Sequence, residues 1–430
     1  MTSPAPAAAA PARSAIREFK TLFGLSAPVA ASQLGMMTTA VVDTMMVARV
    51  GLPELGAVAI ASTWAWSSGS LAQGIVQGMD PLVSQAHGNG DGESAALAFQ
   101  RGLVIALAVS IPLAALWLST GTLLETFGQD AEVARLAQLY MMARLPCAFA
   151  SNVYIAMRQY LAGREITRPA MWCMFASNAI NIFFNWVLIF GNLGAPKLGL
   201  VGAGVATSIA TVALPLLLWA WMLLFGLHKG AWRAWDRRSF AWNGIRRYLA
   251  LGVPVGLQLS LEANAFTLAM LMVGWIGVTE LGAHQVVINM ASFTFMAPLG
   301  IAIGAGARAG NLIGARDDDG LRLACRIGLA MGGGVMAIAG AFQIADGLQV
   351  VGAGLMRGMG RPQAGAVVNL IGFYLLALPL AYLLAFPLEL GMIGIWWGLA
   401  AGLGGVAVML VAWVTSTSRK PIDELRVSIE

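Results

Sequence analysis

Three acidic residues stand inside runs of this sequence that are otherwise apolar. Asp43 lies in TTAVVDTMMVARVG, Glu262 in VPVGLQLSLEANAFTLAM and Asp346 in AGAFQIADGLQVVGAGLMRGMGR. A fourth, Asp80 in GMDPLVSQAHG, sits near the end of an apolar run. An ionised carboxylate in hydrocarbon is costly unless it is paired, hydrated or protonated. One such acid can serve only to fix a helix contact; several in one chain point to cation binding or proton exchange. If Glu262 and Asp346 face each other, repulsion and burial leave one of them ready to take up a proton or Na⁺. Asp43 would do the same alone. Asn178, Asn181 and Asn185 follow at spacings of three and four, on one face of a helix. They line a cavity near Asp43 or bond across helices. Gln33, Asn152, Gln258, Asn264, Gln285, Asn289 and Asn369 are further amides at apolar depth.

The elements that must position these groups follow from composition. The 430 residues are 58% hydrophobic and 11% charged, with a mean hydropathy of +0.74. Soluble domains carry about 25% charged residues. Apolar runs of roughly 20 residues recur along the chain, the length a helix needs to cross a bilayer. The runs are continuous rather than alternating, which excludes a β-barrel. The expected fold is an all-α polytopic membrane protein. Residues 1–18 read as a disordered tail, 19–227 as a lobe with helices 1–6, 228–247 as a basic linker, 248–416 as a lobe with helices 7–12, and 417–430 as a second tail. Lys and Arg crowd into alternate loops, together with the linker HKGAWRAWDRRSFAWNGIRR. That asymmetry places both termini and the linker in the cytoplasm. It also accounts for the net charge of +5 without nucleic acid. No cleavable signal peptide is evident, so the first hydrophobic segment serves for insertion. Cys147, Cys173 and Cys325 lie in apolar context and read as packing residues.

The two halves repeat. VGLPELGA at 50–57 matches IGVTELGA at 276–283, an offset of 226 that also pairs Gly78 with Gly304, Gly88 with Gly314 and Asp91 with Asp317. The halves run in the same direction, a parallel repeat about an axis along the membrane normal. The carboxylates break the repeat: Asp43 aligns with Ala269, and Glu262 with Met36. The second half is also shorter. Asp91 to Arg168 spans 77 residues, but Asp317 to Arg361 only 44. Both ends of the short segment are basic, which requires an even number of crossings. Gly332-Gly333-Gly334 would then turn a hairpin whose first arm is too short to span. A truncated pair of helices 9 and 10 is the expectation, within two pseudo-symmetric six-helix lobes and twelve crossings.

Catalytic motifs are missing. There is no GxxxxGK[ST] and no HExxH, and His87, His228 and His284 are scattered. GNGD at 88–91 has the form of an intramembrane aspartyl protease motif, but lies in a helix-end loop. By contrast VVDTMMVARVG, GMDPLVSQAHGNGD, RPAMWCMFASNAINIFFNWVLIFG, ELGAHQVVINMASFTFMAPLGIAIG and FQIADGLQVVGAGLMRGMG together resemble the multidrug and toxic compound extrusion (MATE) family, in its NorM-like branch. The resemblance implies two six-helix lobes in a V and export of cationic lipophilic compounds against H⁺ or Na⁺, with no cofactor. It assigns substrate or proton binding to Asp43, Asn178 and Asn181, and cation coupling, with Na⁺ an option, to Glu262 and Asp346. Asp80, Gln258 and Gln285 are secondary candidates. The expected setting is the inner membrane of a bacterium, with the bilayer and small lipophilic cations as partners, as a monomer. A lipid-linked precursor or polysaccharide flippase of a related two-lobe family, and a truncated non-transporting homologue, are the alternatives.

Overall fold

A computed structural model describes residues 14–336 and 341–427. Among these residues, twelve helical segments run up and down. In the first lobe they are α1 (Ala15–Val47), α2 (Leu52–Gln77) continued by α3 (Asp80–Gly88), α4 (Gly92–Leu118), and, after a short α5 (Thr120–Thr126), α6 (Ala131–Ala143) continued by α7 (Leu145–Gly163), then α8 (Arg168–Phe190) and α9 (Gly199–Leu224). The second lobe has α10 (Trp242–Ile276), α11 (Val278–Gly314), α12 (Asp318–Met336), α13 (Ala341–Gly358), α14 (Gln363–Asn369) joined through a π-helical stretch to α15 (Leu378–Ala385), and α16 (Gly391–Thr417). Among the described residues, eight helices are long and apolar enough to cross a membrane by length and composition.

The repeat reappears as repeated local structure. Gly51 (φ 175°, ψ 162°) and Gly277 (φ 169°, ψ 164°) are extended in the same way, and each precedes a helix with an acid, Glu54 or Glu280, in its first turn. The acids sit where the helix dipole favours negative charge. Asp91 accepts from the Ser94 amide at 2.9 Å and Asp317 from the Gly320 amide at 2.7 Å, the same helix-start bond in each lobe. Pro28 and Pro254, inside the first helix of each lobe, are also 226 apart.

Small residues bring the lobes together. A Cβ at Gly74 would lie 2.5 Å from the Gly256 Cα, and Gly78 meets Gly252 in the same way, so α2 and α10 cross with backbones nearly touching. Under the offset, these become Gly300 against Ala30 and Gly304 against Ser26, where α11 crosses α1. Such small-xxx-small crossings draw their stability from close packing, because lipid offers no hydrophobic drive between helices. Nearer the termini, Arg308 on α11 forms a fork on Glu18 of α1, Nε to Oε1 at 2.7 Å and Nη2 to Oε2 at 3.1 Å, and reaches Glu165 at 2.9 Å. The linker is tied to the first lobe: Tyr160, Arg164 and Gln100 donate to the carbonyls of Ala231, Leu227 and Arg233. Residues from Trp242 onward already belong to α10.

The second-lobe pair α12 and α13 is short, 19 and 18 residues against 27 in α4. The glycine run does not turn the chain, however. α12 continues helically through Gly332-Gly333-Gly334 to Met336, roughly 28 Å of axis and close to a full crossing. The glycines are used for packing: a Cβ at Gly332 would lie 2.8 Å from Val351 on α13. Residues 337–340, where a turn would fall, lie outside the described residues. Arg101, Arg158 and Arg357 lie inside α4, α7 and α13 rather than in the basic loops, and are buried. Protein acceptors or acids meet them there, so they need no water.

Candidate functional site

In the first lobe, α1, α8 and α9 converge on Asp43, which is 6% exposed. Its Oδ1 accepts from Asn185 at 2.5 Å and its Oδ2 from Thr207 at 2.9 Å. Asn185 also donates to the Asn181 side-chain oxygen at 3.0 Å. Asn178 serves an adjacent turn: it accepts from Thr39 at 2.5 Å and donates to the Gly35 carbonyl at 2.9 Å. The amide face of α8 thus addresses α1, with Asn185 rather than Asn178 on the carboxylate. Gly35 permits the approach, since a Cβ there would lie 2.9 Å from Met174. Arg144, between α6 and α7, stacks over Tyr140 at 5.3 Å and lies within electrostatic reach of Asp43. Neither Thr207 nor Arg144 emerges from the sequence reasoning. Arg144 carried a usable signal, a lone charge in YMMARLPCAFA. Thr207, one hydroxyl among small residues, carried none.

In the second lobe, α10 supplies Glu262 and Gln258, α13 supplies Asp346 and Gln349, and α14 ends on Asn369. The Asn369 amide is shared between Glu262 Oε2 at 3.3 Å and the Gln258 carbonyl at 3.4 Å. The π-helical stretch Leu370–Ala377 begins directly after it. Such widened turns are frequent at functional positions. Asp346, also 6% exposed, lies within electrostatic reach of Glu262. Among the described residues its Oδ1 has no hydrogen-bond partner, nor do Gln258 Oε1, Asn369 Oδ1 or either polar atom of Gln349. Gln349 adjoins Glu262 without hydrogen-bond geometry. Buried acceptors without donors are uncommon in folded proteins. Two carboxylates among amide oxygens form a setting for a proton or a hard cation.

The secondary candidates separate. Asp80 accepts from Gln159 at 2.6 Å and interacts with Arg158 and Arg357. Arg357 interacts in turn with both Asp80 and Glu262, one in each lobe. Gln285 is exposed and donates to Asn289 on its own helix at 3.3 Å.

The MatE family model matches residues 28–187 and 254–343, more than half of the chain. The chain belongs to the MATE family. It is 30% identical to a probable multidrug resistance protein NorM of Bradyrhizobium diazoefficiens, over 92% of each chain. It is 29% identical to multidrug and toxin extrusion protein 2 of Mus musculus, over 95% of this chain and 76% of that one. The fold superposes on the crystal structure of a eukaryotic MATE transporter, AtDTX14, with a TM-score of 0.87 at 24% identity, covering 96% of this chain and 99% of the other. The protein is therefore a multi-pass membrane transporter of a multidrug and toxin extrusion family, and not an enzyme.

Proposed function

We propose that this MATE protein is a secondary active antiporter that exports cationic amphipathic compounds in exchange for H⁺ or Na⁺. The observation that carries the reading is that Glu262 and Asp346, buried on two helices of one lobe, lie within electrostatic reach of each other among oxygens that lack donors. A proton or Na⁺ satisfies them, and a departing one restores their charge. Asp43, held by Asn185 and Thr207, is the counterpart that meets a lipophilic cation.

The crowding of basic residues at the terminus end supports termini in the cytoplasm of a bacterial cell. At that end the Glu18–Arg308–Glu165 latch and the glycine crossings hold the lobes together. The conformation is then the outward-facing one, and the latch must part for substrate to enter from the cytoplasm. Uptake of H⁺ or Na⁺ lowers the affinity for the cation and favours return, because a ligand shifts the equilibrium only by its differential affinity. A flippase of anionic lipid-linked precursors is disfavoured by the acidic character of the deep groups. The transporter works as a monomer.

The test is ethidium efflux from proteoliposomes under an imposed Na⁺ or pH gradient, with Asp43→Asn, Glu262→Gln and Asp346→Asn. Loss of efflux in these variants supports the proposal; undiminished efflux in all three overturns it. The gradient that drives the wild type identifies the ion.

A further inference from the structure

The first lobe carries a groove that the transport site does not use. α7 forms its floor from Pro146 to Met157, α4 one wall with Phe99 and Leu103, and α9 the other with Leu216 and Trp219. Its volume is about 560 Å³ and every lining residue is apolar. The α9 residues lie off the helix face that carries Thr207, so the groove opens away from Asp43. Pro146 to Met157 covers roughly 16 Å of helix axis. That is the height of one leaflet's acyl region, about half the ~30 Å hydrocarbon core.

The groove leads to the linker. Trp219 and Trp232 pack at a tilt of 58° with centroids 5.5 Å apart, and Trp232 lies 6.5 Å from Phe99. The linker backbone is fastened beneath by Tyr160, Arg164 and Gln100, with Ala231 and Ser239 turned inward and buried. Trp235, Phe240 and Trp242 are exposed although the segment is polar. Exposed Trp beside Lys and Arg is the composition of a chain lying at the bilayer interface. Residues 228–247 hold six basic residues and one acid. Arg233 is engaged by Glu93 and Asp236. Lys229 and Arg237 remain exposed at the surface.

We propose that the groove and the linker above it form one site for an anionic phospholipid of the leaflet at the terminus end. An acyl chain fills the groove between α4, α7 and α9, and the phosphate sits against Lys229 and Arg237. The assignment rests on the cytoplasmic orientation of that end, where anionic lipid is attracted to basic segments. Lipid held here would fasten the linker and steady the hinge between the lobes.

The experiment is native mass spectrometry of the purified full chain in detergent micelles, titrated with phosphatidylglycerol or phosphatidylcholine. The expected result is a retained phosphatidylglycerol adduct at concentrations where phosphatidylcholine leaves none. Lys229→Gln with Arg237→Gln weakens that adduct about thirtyfold, the factor two basic residues contribute at an anionic surface. Val153→Phe, which narrows the groove, weakens the phosphatidylglycerol adduct without touching a charge, and Asp43→Asn leaves that adduct unchanged. Equal retention of the two lipids, indifference to the charge and groove variants, or displacement by ethidium at its transport concentration would each overturn the site. No gradient or transport is involved, so a failed antiport reading leaves this result standing, and the reverse holds.

Discussion

Asp43 and Asp346 are equally buried, yet one carboxylate accepts two hydrogen bonds and the other has an oxygen that accepts none. The lobes share their glycines, their helix starts and their prolines, so the scaffold does not produce this difference. Side chains placed against the repeat do. Asp43 aligns with Ala269, seven residues beyond Glu262, so the two sites differ in depth by about 10 Å of helix axis. The first-lobe site, farther along its helix from the termini, is preorganised by hydrogen bonds to both carboxylate oxygens. The second-lobe site is left incomplete and lies nearer to Arg357, whose electrostatic partners are Glu262 and, across the lobe boundary, Asp80. An ion bound at Glu262 and Asp346, as proposed, would therefore change the field on a residue that both lobes share.

The strongest way to break this comparison is to separate drug binding from ion response. Asp43→Asn should weaken ethidium binding in detergent by about 10–100-fold, the equivalent of one charge-assisted interaction. Glu262→Gln and Asp346→Asn should leave that binding nearly intact and abolish its dependence on Na⁺ or pH. Fluorescence titration reads both. Equal loss of drug binding in all three variants would mean that the lobes do not divide the work.

The latch is next. Arg308→Gln removes the counter-charge of Glu18 and Glu165 at the terminus end. Breaking a buried pair of this kind costs about 3–5 kcal/mol of the state that contains it. Spin labels at Lys20 and Asp319, both exposed, should report a longer distance in the variant, with the lobes parted at that end. An unchanged distance distribution would show that the glycine crossings alone hold the closure.

Stability sharpens the contrast with a smaller effect. Asp43→Ala removes the acceptor on α1, leaving Asn185 only the Asn181 oxygen and Thr207 only the Ala203 carbonyl, and should destabilise by about 1–3 kcal/mol. Asp346→Asn relieves repulsion from Glu262 and should raise the melting temperature. A fall in both variants would mean that Asp346 is a structural anchor like Asp43.

Most of the fold was legible in the sequence, because apolar runs and a constant offset report directly on spans and symmetry. The three deep acids were legible for the same reason, since charge in hydrocarbon stands out. The hydrogen-bonding around them was not. Asn185 was visible only as one of three amides on a face, and which of the three meets Asp43 depends on how α8 rotates against Gly35. The glycine run at 332–334 misled for a related reason: glycine marks a turn in one setting and a close helix contact in another. Burial of Arg158 and Arg357 was hidden because positive charge near a helix end looks the same whether it faces water or a buried acid.

Gln349 offers the finest test of an incomplete second-lobe site. It is fully buried beside Glu262, and among the described residues neither its amide nitrogen nor its oxygen meets a partner in hydrogen-bond geometry. A residue kept only for packing would be better apolar, since an unsatisfied buried amide costs about 1–3 kcal/mol. Gln349→Met preserves length and removes the orphaned atoms, so it should leave stability unchanged or raise it by about 1 kcal/mol. If Gln349 helps to complete the coordination of an ion at Glu262 and Asp346, the same change should raise the Na⁺ or H⁺ concentration for half-maximal efflux without altering drug affinity. A stabilised variant with an unchanged ion requirement would place Gln349 outside the site and reduce the ion-binding set to the two carboxylates, Gln258 and Asn369.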